Sequence, residues 1–176
     1  MTAAAVIFSK DVSLLEVDDS KKLTTNKRES LYSKIVNQAS AVGVGMVSVK
    51  TINEMGIATA NRLAMKKAVN NLHIEPDFVL IDCIEINNLG YLSNSIPKGD
   101  SRCFCIAAAS IIAKVTRDRH MVKLSKEYPE YRLENNKGYG TASHQKAVEN
   151  HGYSNIHRKS FKFNHSTNNQ KLEFDN

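Results

Sequence analysis

The stretch Pro76-Asp77-Phe78-Val79-Leu80-Ile81-Asp82 decides the fold class. Its four consecutive apolar residues end at an aspartate and are typical of a strand that helices cover on both faces. Upstream, residues 3–8 and 41–49 have the pattern of strands, and residues 57–72 repeat apolar side chains at helical spacing. Strands and helices therefore alternate along the chain, which predicts an α/β fold.

The flanking regions extend this alternation. A first helix is expected after Ser20 or Thr24, either of which could cap it, with an apolar stripe at Leu31, Ile35 and Val36. Beyond the central strand we expect a short strand at 95–100, a long helix from about 104 to 128 that Asp100 or Ser101 could cap, and a last helix at 141–150. Residues 1–163 then form one domain, and the polar residues 164–176 are expected to be a disordered tail.

Composition narrows the class of protein. The chain has 176 residues, a net charge of +6 and a pI near 9.2, which suit a single domain with a polyanionic partner. No apolar run approaches the roughly 20 residues of a membrane helix, and residues 1–8 fit a strand better than a secretory signal. The three cysteines are odd in number and lack zinc-site spacing. We expect free thiols and a cytoplasmic protein, acting as a monomer.

Asp82 is the first candidate for chemistry. It follows the buried strand, and ligands collect at the carboxyl ends of strands in open α/β sheets. A carboxylate at that position could hold a metal ion. The alternative is an aspartate that simply caps the turn after the strand.

Asp118 is the second candidate. On the long helix it shares a face with Ile111, Val115 and Val122, so its carboxylate is directed towards apolar surroundings. Burying an unpaired carboxylate costs several kcal/mol, so it needs a metal ion, a hydrogen bond or an ion pair. The flanking arginines leave the helix in other directions, which leaves a distant Lys or Arg as the alternative partner.

Three further segments combine basic residues with an aromatic or a glycine. In Lys137-Gly138-Tyr139-Gly140-Thr141, a tyrosine between glycines precedes a helix, where free N–H groups could receive a phosphate. The alternative is an ordinary loop at a helix entry. Asp19-Ser20-Lys21-Lys22 and His157-Arg158-Lys159 could contact a polyanion, or could be solvated surface.

The order of these segments and their amino-acid sequences resemble those of ribonuclease HII along residues 2–163. The matching blocks include 19–23, 79–82, 98–100, 137–141 and 156–161. The most specific is the long block Ile106-Ala107-Ala108-Ala109-Ser110-Ile111-Ile112-Ala113-Lys114-Val115-Thr116-Arg117-Asp118-Arg119. The resemblance implies a ribonuclease H-like fold, with a mixed five-stranded sheet flanked by helices and a helical C-terminal part that grips the duplex.

The resemblance also implies the chemistry. The family cuts the RNA strand of RNA/DNA hybrids and cuts at ribonucleotides embedded in duplex DNA. It uses four carboxylates and two divalent ions, Mg²⁺ or Mn²⁺. Asp82 matches the third carboxylate and Asp118 the fourth.

Substrate contacts carry over in the same way. Tyr139 matches the tyrosine that detects the ribose 2′-OH, the group that distinguishes RNA from DNA. Lys21 matches a lysine near the scissile phosphate. His157 and Arg158 lie in a block that we also assign to substrate binding.

One family feature is absent from the sequence. The family begins with a central strand that ends in Asp-Glu-Ala-Gly-Arg-Gly and supplies the first two carboxylates, whereas this sequence begins at the following strand. We expect that Met1 is a valine codon read as a start codon, that the missing strand is encoded upstream, and that the chain as written is impaired or inactive. The alternatives are a non-catalytic RNA/DNA-binding remnant, and a fragment without stable function.

Overall fold

A computed structural model describes residues 1–9, 12 and 23–160 of the chain. Strands and helices alternate, which confirms the predicted α/β class. The elements are β1 Thr2–Ile7, α1 Thr25–Gln38, β2 Ala41–Met46, α2 Val49–Asn70, β3 Val79–Asp82, β4 Ser93–Ile96, α3 Phe104–Leu124, α4 Leu133–Asn136 and α5 Ala142–His151, with 3₁₀ turns at Gly99–Ser101 and Pro129–Tyr131. The predicted tail lies outside the described residues.

Helix starts follow from local side-chain chemistry. The hydroxyls of Thr24, Ser48 and Thr141 cap α1, α2 and α5 by accepting hydrogen bonds from backbone N–H groups three residues ahead. Two predicted boundaries are wrong at this point. β2 ends at Met46 and not at residue 49, and the Ser48 cap starts α2 at Val49 instead of Ile57. A backbone break at Gly56, with φ of 77°, separates the two parts of α2.

The strands form two separate pairs. β1 pairs antiparallel with β2 from Thr2 opposite Met46 to Ile7 opposite Ala41, and β3 pairs parallel with β4. No hydrogen-bonded ladder joins β1 to β3 among residues 1–9 and 23–160. The continuous mixed sheet that the resemblance implies is therefore divided in two here.

Three helices cover the two faces of β1. Ala3 packs with α2, whereas Ala4 and Val6, whose side chains alternate with it, pack with α1 and α3. The contact between β2 and α2 is close, because a Cβ atom at Gly45 would lie 1.9 Å from the carbonyl oxygen of Ala64. Only glycine fits at that contact.

A cavity of about 500 Å³ lies between β1 and β3. All residues of both strands line it, together with one face each of α2 and α3. Phe78 and Leu80 are 51% and 40% exposed, so the prediction of a strand covered on both faces is correct only for the face of Val79 and Ile81.

Over the described residues, none of the helices combines the length and the apolar character needed to cross a lipid bilayer.

Candidate active site and duplex-facing surface

Asp82 ends β3, and its carboxylate is held by the loop that leads to α3. The backbone N–H of Gly99 donates to Asp82 Oδ1 over 2.8 Å. The approach is tight, because a side chain at Gly99 would meet that oxygen at 3.3 Å and Ile106 Cδ1 at 2.5 Å. A glycine at this position therefore orients the carboxylate at the carboxyl end of the strand.

Asp100 directly follows Gly99 and was missed as a site residue by the sequence reasoning, which considered it only as a helix cap. It does not cap α3, since a 3₁₀ turn comes first and the helix begins at Phe104 after Cys103. It is the only acidic side chain among the described residues that is buried. We call Asp82, Gly99 and Asp100 the carboxylate end. The signal in the sequence was the block Lys98-Gly99-Asp100.

Asp118 is paired with cations of its own helix. Its carboxylate accepts a hydrogen bond from Lys114 Nζ, four residues earlier, and lies 3.2 Å from Arg117 Nη1. The expectation that Arg117 is a poor partner is wrong, because the long guanidinium side chain turns back to its neighbour. Val122, expected on the same buried face, is exposed. The need for a partner is thus met by an ion pair.

The structure does not bring Asp82 and Asp118 together. Asp82 lies beside Ile106, near the start of α3. Asp118 follows twelve residues later (118 minus 106) on the same helix, which is about 18 Å along the axis at roughly 1.5 Å per residue. Two catalytic metal ions lie only about 4 Å apart. The separation of Asp82 and Asp118 along α3 is much larger, and it does not fit a metal site that both carboxylates share.

Tyr139 lies at the surface, in contact with the ion pair of Asp118. Half of the tyrosine is exposed. The guanidinium of Arg117 lies 4.6 Å from the centre of its ring and Lys114 Nζ lies 5.2 Å from it. Arg117 also donates to the carbonyl oxygen of Lys137 over 2.9 Å. One helix face therefore fixes both the ring and the loop 137–141, which we call the Tyr139 loop.

The other predicted substrate contacts have different surroundings. His157 is directed inwards, with Nε2 3.1 Å from His144 Nε2 and Nδ1 3.1 Å from the amide nitrogen of Ser154. Arg158 is half-buried, and with Arg117 it acts on the amino group of Met1, whose pKa is lowered first by burial and then by these two charges. Lys21 lies outside the described residues.

Arg117 and Arg158 therefore form a basic cluster that faces the amino group of Met1, just before β1.

The described residues contain no group of three His, Cys, Asp or Glu side chains that could hold a metal ion. The carboxylate end offers two carboxylates, and the Tyr139 loop offers an aromatic ring with two cations. The first arrangement suits a hard divalent cation and the second suits a sugar and phosphates.

Comparison with known proteins gives a consistent result. The family model described as Ribonuclease HII matches residues 1–164. Ribonuclease HII of Caldicellulosiruptor bescii is 48% identical over 159 residues, which cover 90% of this chain and 77% of that protein. Ribonuclease HII of Acetivibrio thermocellus is 47% identical over 161 residues, and the chain spans only 63% of its length.

Solved structures have the same fold. Ribonuclease H2 of Pyrococcus horikoshii superposes with a TM-score of 0.69 at 24% identity, over 92% of this chain and 94% of that one. Bst RNase HIII, solved in complex with Mn²⁺, superposes with a TM-score of 0.52 at 19% identity, over 76% of this chain and 57% of that one.

Proposed function

The chain belongs to the ribonuclease HII family, and we propose that it hydrolyses the RNA strand of RNA/DNA hybrids and cuts duplex DNA at embedded ribonucleotides. Family membership assigns it to the metal-dependent ribonuclease H hydrolases. The observation that carries the proposal is the oriented carboxylate of Asp82 beside the buried Asp100, at the carboxyl end of β3. Ligand sites of open α/β sheets lie at such an edge.

A divalent metal ion fits the carboxylate end. Both side chains offer carboxylate oxygens, which Mg²⁺ and Mn²⁺ prefer, and burial of Asp100 favours a nearby positive charge. When bound, the metal would activate the attacking water and stabilise the leaving 3′ oxygen. The chain itself contributes orientation, since the N–H of Gly99 fixes one oxygen of Asp82. The Mn²⁺ in the similar Bst RNase HIII agrees with this choice of metal.

For Asp118 we propose a positioning role in place of the metal-binding role that the resemblance implies. Its carboxylate fixes Lys114 and Arg117, the two cations that lie over Tyr139. A carboxylate already neutralised by two cations offers little to a metal ion. Its removal would therefore disturb the surface that meets the duplex.

The Tyr139 loop is proposed to recognise the ribonucleotide. The exposed half of Tyr139 can pack on a sugar, while Lys114, Arg117 and Arg158 provide positive charge for neighbouring phosphates. We retain Lys21 as a further phosphate contact from the resemblance. Phosphate contacts act on any duplex, so discrimination between RNA and DNA is assigned to the tyrosine.

One observation favours a second candidate function, a non-catalytic RNA/DNA-binding module. In the described part of the chain the carboxylate end has two carboxylates, and no third metal-binding side chain joins them. Two dications would then face roughly two negative charges, so metal occupancy would be low. The basic surface would still bind a duplex.

A cleavage assay beside a binding assay separates these functions. The purified 176-residue chain is incubated with a duplex that carries one ribonucleotide and with the all-DNA duplex of the same sequence, in Mg²⁺, Mn²⁺ or EDTA. Metal-dependent cutting of the first duplex alone is the expected result. Binding that weakens with salt, without any cutting, would instead establish the binding module.

A charge-matched control makes the result specific. Asp77 is exposed and precedes β3, so Asp77→Asn removes the same charge as Asp82→Asn without changing the carboxylate end. The control should cut like the unchanged chain. Loss of cutting in Asp77→Asn would indicate a general effect of charge and not a metal site.

We further propose a cytoplasmic location and a monomeric state. The three cysteines are free thiols, as expected in a reducing compartment. Size-exclusion chromatography with light scattering tests the monomer, and a stable dimer would contradict it.

A further inference from the structure

A buried histidine, His144, and a half-buried one, His157, lie behind the Tyr139 loop. The rings of His144 and His157 meet at 3.1 Å between their Nε2 atoms. His144 Nδ1 lies 3.1 Å from the carbonyl oxygen of Tyr139, and His157 Nδ1 lies 3.1 Å from the amide nitrogen of Ser154. The two imidazoles thus connect Ser154 to the backbone of the tyrosine that we propose as the ribonucleotide contact.

The two outer partners fix the position of every ring proton. A carbonyl oxygen can only accept, so Nδ1 of His144 carries a proton and donates it to Tyr139. The backbone N–H of Ser154 can only donate, so Nδ1 of His157 accepts from it and carries no proton, and the Ser154 hydroxyl, 2.9 Å from the same nitrogen, then donates to it as well. In the neutral imidazoles, Nε2 of His157 then carries the proton and Nε2 of His144 does not. His157 therefore donates to His144, and all the contacts are satisfied by this one arrangement.

We infer that His144 and His157 form a positioning pair that holds the Tyr139 loop only while both imidazoles are neutral. A proton added to His144 would place two N–H groups against each other across the 3.1 Å contact. A proton added to His157 would place Nδ1–H against the N–H of Ser154 and would turn the Ser154 hydroxyl from a donor into an acceptor. The first proton separates the two rings behind Tyr139, and the second disturbs the contact that holds His157 to Ser154.

The surroundings favour the neutral state. His144 is only 3% exposed, and burial lowers the pKa of both histidines, with a further lowering at His157 from His144. The ring of Tyr131 packs on both histidines and that of Tyr153 on His157, while His151 packs on Tyr131. Of the cations, Arg158 follows His157 directly in the chain, and Lys114 and Arg117 lie over the ring of Tyr139.

The ring of Tyr131 packs against both histidines of the pair. Its ring is almost fully buried, its centre lies 4.6 Å from that of His157, and its hydroxyl donates to the carbonyl oxygen of Gly152 over 2.8 Å. The Tyr139 loop needs this support because its backbone has positive φ at Lys137 and Gly138, of 50° and 74°. Such a conformation persists only where its neighbours hold it.

The inference rests on the proposed function only in the role of Tyr139, so the first test does not use activity. Nitrogen-15 NMR of the imidazoles should show His144 protonated at Nδ1 and His157 at Nε2 at neutral pH. On acidification, the backbone signals of Tyr139 should move with the same midpoint as the two histidines. His73, which is exposed in the loop after α2, is the internal control. The opposite tautomers, or Tyr139 signals that ignore this midpoint, would overturn the inference.

The second test uses two substitutions at one position. His157→Gln keeps an N–H donor for His144, whereas His157→Phe keeps the ring and removes the donor. The Phe variant should lose about tenfold in preference for the ribonucleotide-containing duplex, as for one lost hydrogen bond, and the Gln variant should retain it. If the Tyr139 signals shift in the Phe variant without loss of preference, the pair is confirmed and the proposed role of Tyr139 fails. Unchanged Tyr139 signals in the Phe variant would reject the pair.

Discussion

The carboxylate end and the Tyr139 loop differ in how the side chains of Asp82 and of Tyr139 are held. At the carboxylate end one N–H orients Asp82, no Lys or Arg forms an ion pair with it in the described residues, and an open cavity lies alongside between β1 and β3. At the Tyr139 loop, Lys114 and Arg117 pair with Asp118, and Arg117 also lies over the ring of Tyr139. Behind the loop, the rings of His144 and His157 contact each other. The first region retains capacity for a cation, whereas the second is already organised to meet a substrate.

The largest expected effect tests whether metal chemistry is confined to the carboxylate end. Asp82→Asn and Asp100→Asn should each lower the rate of cleavage by orders of magnitude, because Asn keeps the size but loses the charge that holds the metal. Asp118→Asn should act mainly by weakening substrate binding, and should cost about tenfold, as for one lost charged interaction. Single-turnover rates measure both effects. An equal loss of rate at saturating duplex in Asp82→Asn and Asp118→Asn would return Asp118 to the metal site.

Packing should differ between the two regions by a few kcal/mol. Leu133, near the Tyr139 loop, is 1% exposed, whereas Leu80 lines the cavity and is 40% exposed. Leu133→Ala should therefore lower the free energy of unfolding by about 3 kcal/mol, and Leu80→Ala by about 1 kcal/mol or less. Urea unfolding provides the comparison. Similar losses would show that the cavity is closed in solution.

A smaller effect concerns discrimination. Tyr139→Ala should weaken binding to a ribonucleotide-containing duplex about tenfold more than binding to all-DNA, because one stacking contact contributes roughly 1–3 kcal/mol. Phe78→Ala is the matched control, since that aromatic side chain precedes β3, outside the Tyr139 loop, and is 51% exposed against 50% for Tyr139. If Tyr139→Ala weakens both duplexes equally, the tyrosine is a general contact.

The smallest effect is the pH dependence of stability. The folded-state pKa of His144 and of His157 is lower than the ordinary 6.5, so the unfolded chain takes up protons more readily. Their contribution is complete above about pH 6.5 and is lost as the pH falls below it. As the pH is lowered, the melting temperature should fall by about 2–4 °C for each kcal/mol of stability lost. This fall should be smaller in His144→Gln than in the unchanged chain. Identical pH profiles would contradict this assignment.

Much of the fold could be predicted from the sequence because local chemistry determines it. The β3 run and the cap at Thr24 each depend on a few neighbouring residues, and the structure agrees with them. The start of α2 was missed because the strand pattern of residues 41–49 extends past Ser48, whose hydroxyl caps a helix that begins at Val49.

The site was harder to predict because it depends on direction and distance. The spacing of Lys114 and Asp118 indicates an ion pair on a helix, but the resemblance suggested a metal ligand instead. Asp100 was interpreted as a cap because the 3₁₀ turn before α3 cannot be recognised from composition. The contact between His144 and His157 joins α5 to the loop after it, thirteen residues apart, and no short-range pattern reveals it.

The most direct test of the account is Mn²⁺ binding, measured by electron paramagnetic resonance of the free ion at neutral pH. The chain, Asp82→Asn and Asp118→Asn are compared without substrate. We predict that Asp118→Asn binds Mn²⁺ like the unchanged chain and that Asp82→Asn loses binding. Equal loss in both variants, or no Mn²⁺ binding by the unchanged chain, would contradict a metal site at the carboxylate end.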